Sequence, residues 1–165
     1  MDCILLRHGI AVDRDEWDAA EAERPLTRKG AERTRQAVGG LSTLGVTPTQ
    51  IVSSPLVRAM ETAQIVREVC HVRSDIQVCD ELLPDAPPEK LFPLLASLAT
   101  EPCVVCVGHE PHLSTTAGVM VFGQPCSGLS LKKSGAACIR YDAEPRAGYG
   151  QLRWWLTPGQ LRMIR

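Results

Sequence analysis

Two stretches of the chain are apolar at every position, Cys3 to Leu6 and Cys103 to Val107. Runs of this length fit short strands covered by helices on both faces. Elsewhere the period lengthens. Thr27 is placed to cap a helix, and Ala31, Thr34, Val38 and Leu41 form an apolar stripe behind it. Gly45 stops that helix after Leu44. Gln50 to Ser53 reads as a second short strand. Ser54-Pro55 then opens a helix, with a cap residue and a proline at its first position, lined by Ala59, Thr62, Ala63, Val66 and Val69. Ile76 to Val78 is a weaker third strand, followed by the proline-rich loop ELLPDAPPE. Glu89 to Leu98 carries a stripe of Leu91, Leu94, Leu95 and Leu98. After the strand at Cys103 to Val107 comes a helix from about His112 to Phe122. Ala136 to Tyr141 and Gln151 to Trp155 are two late strands, joined by a turn with Pro145 and Gly148. The polar, acidic segment from Asp13 to Glu23 reads as an exposed loop. Strand–helix alternation predicts an α/β fold in three layers, with a mainly parallel sheet and late antiparallel edge strands. No linker or repeat interrupts it, so residues 1–165 are expected to form one domain.

Composition narrows the classes. Hydrophobic residues make up 44% and the net charge is −1, which fits a folded protein and not a disordered one. The same near-neutral charge speaks against a nucleic-acid binder, and no apolar run approaches a membrane span. MDCILLRHG reaches a charge too early for a secretory signal core. Seven cysteines, an odd number spread through apolar runs, read as reduced core thiols. Cys103 and Cys106 make a C-x-x-C pair, but within a strand positions three apart face opposite sides. The expected location is the cytoplasm.

The candidate chemistry stands where the strands end. In an open parallel sheet, ligands bind beyond the carboxyl ends of the strands. Arg7, His8 and Gly9 follow the first strand. Arg58 lies one turn into the helix after the second, Asp80 and Glu81 follow the third, and Gly108 and His109 follow the fourth. A single strand-end arginine usually serves a surface ion pair, and a single histidine usually a structural hydrogen bond. Two arginines and two histidines at matching strand ends instead suit a phosphoryl group, whose oxygens arginine forks grip in pairs. Glycines beside both histidines would allow a ligand close to the backbone.

The runs L-R-H-G at 6–9, S-S-P-L-V-R-A-M-E-T-A at 53–63 and G-H-E-P at 108–111 resemble the histidine phosphatase superfamily, whose fold is phosphoglycerate mutase-like. R-P-L-T-R-K-G at 24–30, E-L-L-P at 81–84 and W-W-L-T-P-G-Q-L at 154–161 resemble its SixA branch of phosphohistidine phosphatases. The resemblance implies that His8 is the nucleophile and forms a phosphohistidine intermediate. It implies that Arg7, Arg58 and His109 hold the phosphoryl oxygens, with Gly9 beside them. Glu81 would be the carboxylic acid that protonates the leaving group, though the SixA branch does not clearly need one; its plain alternative is a structural acid paired with an arginine. Thr27 would shape the mouth of the site, or simply cap its helix. No cofactor or metal is implied. His109 and His112 form H-x-x-H, but no third zinc ligand is evident.

Roughly fifty residues separate Arg58 from His109, too few for the bulky cap that larger relatives place there. An open site favours a side chain presented by another protein. The expected substrate is phosphohistidine on a histidine phosphotransfer protein, with phosphate and oxyanion analogues binding the same site and the enzyme a monomer. The rivals are a general small-molecule phosphomonoesterase on the same scaffold and a catalytically silent phosphoprotein-binding module, for which an intact His8 would have no use. No cysteine carries an arginine six positions on, so a cysteine-phosphatase loop is absent. So is a nucleotide-binding G-x-x-x-x-G-K-[ST] run.

Overall fold

A computed structural model describes residues 1–164. Six strands form one sheet: β1 (Asp2–Arg7), β2 (Gln50–Ser53), β3 (Gln77–Val78), β4 (Cys103–Gly108), β5 (Ala136–Arg140) and β6 (Gln151–Leu156). Their order is β3-β2-β4-β1-β5-β6. The first four are parallel, while β5 runs antiparallel to β1 and β6 antiparallel to β5. The two apolar runs thus become the central pair. Ile4, Leu5 and Leu6 are at most 1% exposed, and burying each contributes about 1.5–3 kcal/mol.

Alternation along these strands divides the core in two. Ile4, Leu6, Ile51, Val105 and Val107 face α1 (Arg28–Thr43), α2 (Val57–Val69) and α5 (Pro158–Met163). Cys3, Leu5, Val104, Cys106 and Ile139 face α3 (Leu91–Ser97) and α4 (His112–Phe122). Cys103 and Cys106 fall on opposite faces, and all seven cysteines are free thiols. Burial pushes the Cys103 thiol up to about 12, as expected of a core residue and not of a redox pair.

Several boundaries differ from the sequence reading. The second helix opens at Val57, two positions beyond Pro55, with Leu56 at the cap position; the Ser54 hydroxyl meets His109 Nε2 at 2.8 Å and accepts the Leu56 amide at 3.4 Å. The expected helix at Glu89 begins as a 3-10 turn over Pro88–Lys90, and α3 itself starts at Leu91. The acidic segment is not shapeless. It holds 3-10 turns at Arg14–Glu16 and Glu21–Glu23, and a bridge between Ala11 and Leu26 closes its neck. α5 was not expected from apolar spacing, although Thr157 and Gln160 make a full capping box with Pro158 in the first turn. Among the described residues no helix is long and apolar enough to cross a membrane.

Candidate active site

Register brings the strand tips level. Arg7 of β1 lies opposite Gly108 of β4, and Ser53 of β2 opposite Val107. The pairing continues one step past each tip: His8 donates its amide to Gly108 at 3.0 Å, and Ser54 to Val107 at 3.0 Å. Because β4 lies between β1 and β2, the residues that leave these three tips gather at one end of the sheet. The His8 and His109 rings stand 5.0 Å apart, tilted by 52°. His8, Arg58 and His109 are 6%, 4% and 2% exposed, so their charges and lone pairs act in a dry setting.

The His8 Nδ1 lies 2.7 Å from the carbonyl oxygen of Gly9. A carbonyl only accepts, so Nδ1 carries the proton and Nε2 keeps its lone pair. Burial, reinforced by the charges of Arg58, Arg7 and Lys133, pulls the His8 pKa down to about 3. The imidazole is therefore neutral at physiological pH and competent as a nucleophile. Burial, then the neighbouring His8 and Arg58, takes His109 to about 2.

The other polar atoms of the cluster are held from one side. Arg7 Nη1 donates to the carbonyl of Leu131 at 2.7 Å. Arg58 Nη1 donates to the carbonyl of Glu21 at 3.1 Å, and Nη2 pairs with its carboxylate at 3.2 Å. His109 Nε2 meets the Ser54 hydroxyl at 2.8 Å. Three buried nitrogens on these residues then have no partner among the described residues: Arg7 Nε, Arg58 Nε and His109 Nδ1. His112 Nδ1 and Tyr141 Oη share that condition but do not belong to this cluster. An unmet buried donor costs about 1–3 kcal/mol, which an anion with several acceptor oxygens would recover.

The cluster is braced from behind. Gly9 gives its amide to Thr62 at 3.0 Å, and that hydroxyl donates to Arg58's carbonyl at 2.8 Å. Ser134 donates its amide to the carbonyls of Arg7 and His8, while its hydroxyl meets Thr34 at 2.8 Å. Glu110 accepts the amide of Leu131, whose carbonyl holds Arg7.

Three expected site residues behave differently from the four basic ones. Gly9 gives its amide to Thr62, and a close approach that demands glycine comes from the protein itself. A Cβ there would meet Thr34 Oγ1 at 2.3 Å. Thr27 uses its hydroxyl for local backbone, accepting from Gly30 at 2.9 Å and donating to Ile10 at 3.3 Å, so it serves as the helix cap. Glu81 stands past β3 in a recess of about 270 Å³ with Asp80, Asp85 and Lys90. Among the described residues no hydrogen bond or ion pair joins it to Arg7, His8, Arg58 or His109, and its charge acts on the Cys79 thiol. His112 Nε2 meets Thr116 within α4 at 3.4 Å.

The sequence reading missed Glu21, Glu110, Lys133 and Ser134. Glu110 lies inside the quoted G-H-E-P run, and Glu21 stands as an acid three positions before the arginine of R-P-L-T. The other links join residues far apart in the chain, which no local pattern announces.

The sequence model of the histidine phosphatase superfamily (branch 1) matches residues 3–83. An uncharacterized protein of Picosynechococcus sp. is 38% identical over 148 residues, covering 87% of each chain. Phosphohistidine phosphatase SixA of Escherichia coli is 26% identical over 168 residues, covering 100% of this chain and 99% of its own. The solved structure of the protein histidine phosphatase SixA complexed with tungstate superposes with a TM-score of 0.86 at 24% identity. That match covers 98% of this chain and 99% of the other.

Proposed function

On the premise that this chain belongs to the histidine phosphatase superfamily as a SixA-type phosphatase, we propose that it removes phosphoryl groups from histidine on a phosphotransfer protein. The observation that carries the reading is the set of unpartnered nitrogens on Arg7, Arg58 and His109 around a neutral His8. Arg7 Nε and Arg58 Nε, joined by His109 Nδ1 in the tautomer whose Nε2 accepts from Ser54, suit the three equatorial oxygens of a phosphoryl group in flight. His8 Nε2 attacks phosphorus. The bond from phosphorus to the substrate imidazole breaks as the His8 bond forms, and the leaving nitrogen takes a proton. Water then attacks phosphorylated His8, the phosphorus–nitrogen bond breaks, inorganic phosphate departs and the spare proton passes to solvent. The guanidiniums neutralise the charge that develops on the oxygens in both steps.

A protein substrate is favoured by what separates Arg58 from His109. That stretch holds the rest of α2, the two-residue β3, short 3-10 turns, α3 and β4, with no helical cap. Two relatives support the chemistry by name, one a phosphohistidine phosphatase and one a protein histidine phosphatase bound to the oxyanion tungstate. All four basic residues come from one chain, so a monomer with a single catalytic domain suffices, acting in the cytoplasm where such phosphoproteins turn over. Glu81 is assigned a proton-donating role only for poor leaving groups such as alkoxides, because a phosphoramidate nitrogen is easily protonated.

Acid quenching during turnover of a radiolabelled phosphohistidine protein tests this reading. Label is expected on His8, and His8→Ala should abolish turnover. Glu81→Gln should leave phosphohistidine hydrolysis near the wild-type rate while slowing that of phosphomonoesters. Rapid cleavage of small phosphate esters with no action on phosphohistidine proteins would shift the assignment to a general phosphomonoesterase. Undiminished hydrolysis by His8→Ala would remove the nucleophile.

A further inference from the structure

We propose that Glu21, in the loop between β1 and α1, is the positioning residue for Arg58: it grips the far edge of that guanidinium and so aims the remaining donor at the phosphoryl group. The proposal rests on the phosphatase reading above and adds a residue to it. Both terminal nitrogens of Arg58 are taken by this one residue, Nη1 by its carbonyl at 3.1 Å and Nη2 by its carboxylate at 3.2 Å. What remains free on that buried guanidinium includes the unpartnered Nε.

Glu21 is itself fixed. Arg24 binds its carboxylate through two bonds, 2.8 and 3.0 Å long, and Arg14 adds a contact at 3.4 Å. Arg24 is tied in turn to the carbonyl of Val12 at 2.6 Å. The neck of the loop is closed by the Ala11–Leu26 bridge and by Thr27 donating to Ile10 at 2.9 Å. The loop therefore leaves the chain three residues after His8 and returns as a strut against Arg58. Arginine has a long, freely rotating stem, and a fork held at both ends keeps one orientation.

Calorimetric titration with tungstate, alongside kcat and KM on a phosphohistidine protein, separates these roles. Glu21→Ala should weaken tungstate binding and lower kcat, each by about tenfold, since a misplaced group can cost up to about a hundredfold. Glu21→Gln keeps an oxygen for Arg58 Nη2 and should recover most of both. Glu16→Gln removes the same charge from the same loop at an exposed position and should change neither. Tungstate binding that is unchanged or tighter in Glu21→Ala overturns the proposal, because the carboxylate is then idle or an obstacle. The tungstate series reads Glu21 whatever the substrate: a wild-type enzyme that binds tungstate but ignores phosphohistidine proteins would overturn the substrate assignment alone. Failure of the wild type to bind tungstate would remove the anion pocket and the role of Glu21 with it.

Discussion

At the scale of single residues, the site depends on what burial does to imidazole. A free imidazole with a pKa of about 6.5 is already mostly neutral at pH 7, so His8 could serve as a nucleophile anywhere. Burial among cations goes further and holds it near 3, while the Gly9 carbonyl fixes the proton on Nδ1. The sign follows directly. A depressed pKa means the neutral form persists as pH falls, so the acid limb of kcat/KM should lie well below 6.5. An acid limb that reports His8 titrating at 6 to 7 in the free enzyme would contradict the assigned environment. Arg7, His8, Arg58 and His109 were all legible from strand ends and short motifs, because each sits at the last position of a strand, directly after one or within the next helical turn. Gly9 was legible as a necessary glycine, and Thr34 is a neighbour that requires it.

Among elements, the apolar runs of β1 and β4 needed no tertiary information, since only a strand covered on both faces tolerates apolar residues at every position. α5 was missed because six residues are too short to show a helical stripe. Its seat on α1 is visible only in space. A Cβ on Gly40 would meet the carbonyl oxygen of Leu161 at 1.9 Å, whereas one on Gly39 would meet nothing within 4 Å. These neighbours in α1 should therefore respond oppositely to the same change. Gly39→Ala should stabilise the protein by up to about 1 kcal/mol through helix propensity. Gly40→Ala should destabilise it by about 1–3 kcal/mol, because backbone in α5 must move. Urea denaturation of both variants checks the docking, and equal stabilisation by both would place α5 elsewhere. The acidic loop taught the converse: polar composition correctly gave exposure for most of its residues, yet Glu21 reaches Arg58 across 37 positions of chain.

For the whole molecule, collecting buried neutral histidines at one end of the sheet has a thermodynamic consequence. His8, His109 and His112 all have pKa values lowered by burial. Unfolding exposes them to water, where they take up protons below about 6.5. Their contribution to stability is complete above that pH and is lost as pH falls from there toward about 3. Denaturant unfolding at pH 7 and at pH 5 should show the protein less stable at pH 5, in a window where carboxylates have scarcely begun to titrate. Tungstate at a hundredfold excess over its Kd should add about 2.7 kcal/mol to the folded state. Stability that stays flat from pH 7 to pH 5 would mean that these imidazoles are not held neutral. The sequence alone determined the layered α/β fold, the order of its strands along the chain and the four basic residues that gather at the strand tips. Each of these follows from local apolar periodicity or from a residue's place beside a strand end. The tertiary structure alone decided which atoms of those residues stay unpartnered, and that Glu21 and Glu110 stand behind the two arginines. Such facts depend on how loops cross the tips of the sheet, and a loop's course is set by single hydrogen bonds between distant residues that leave no periodic trace in the chain.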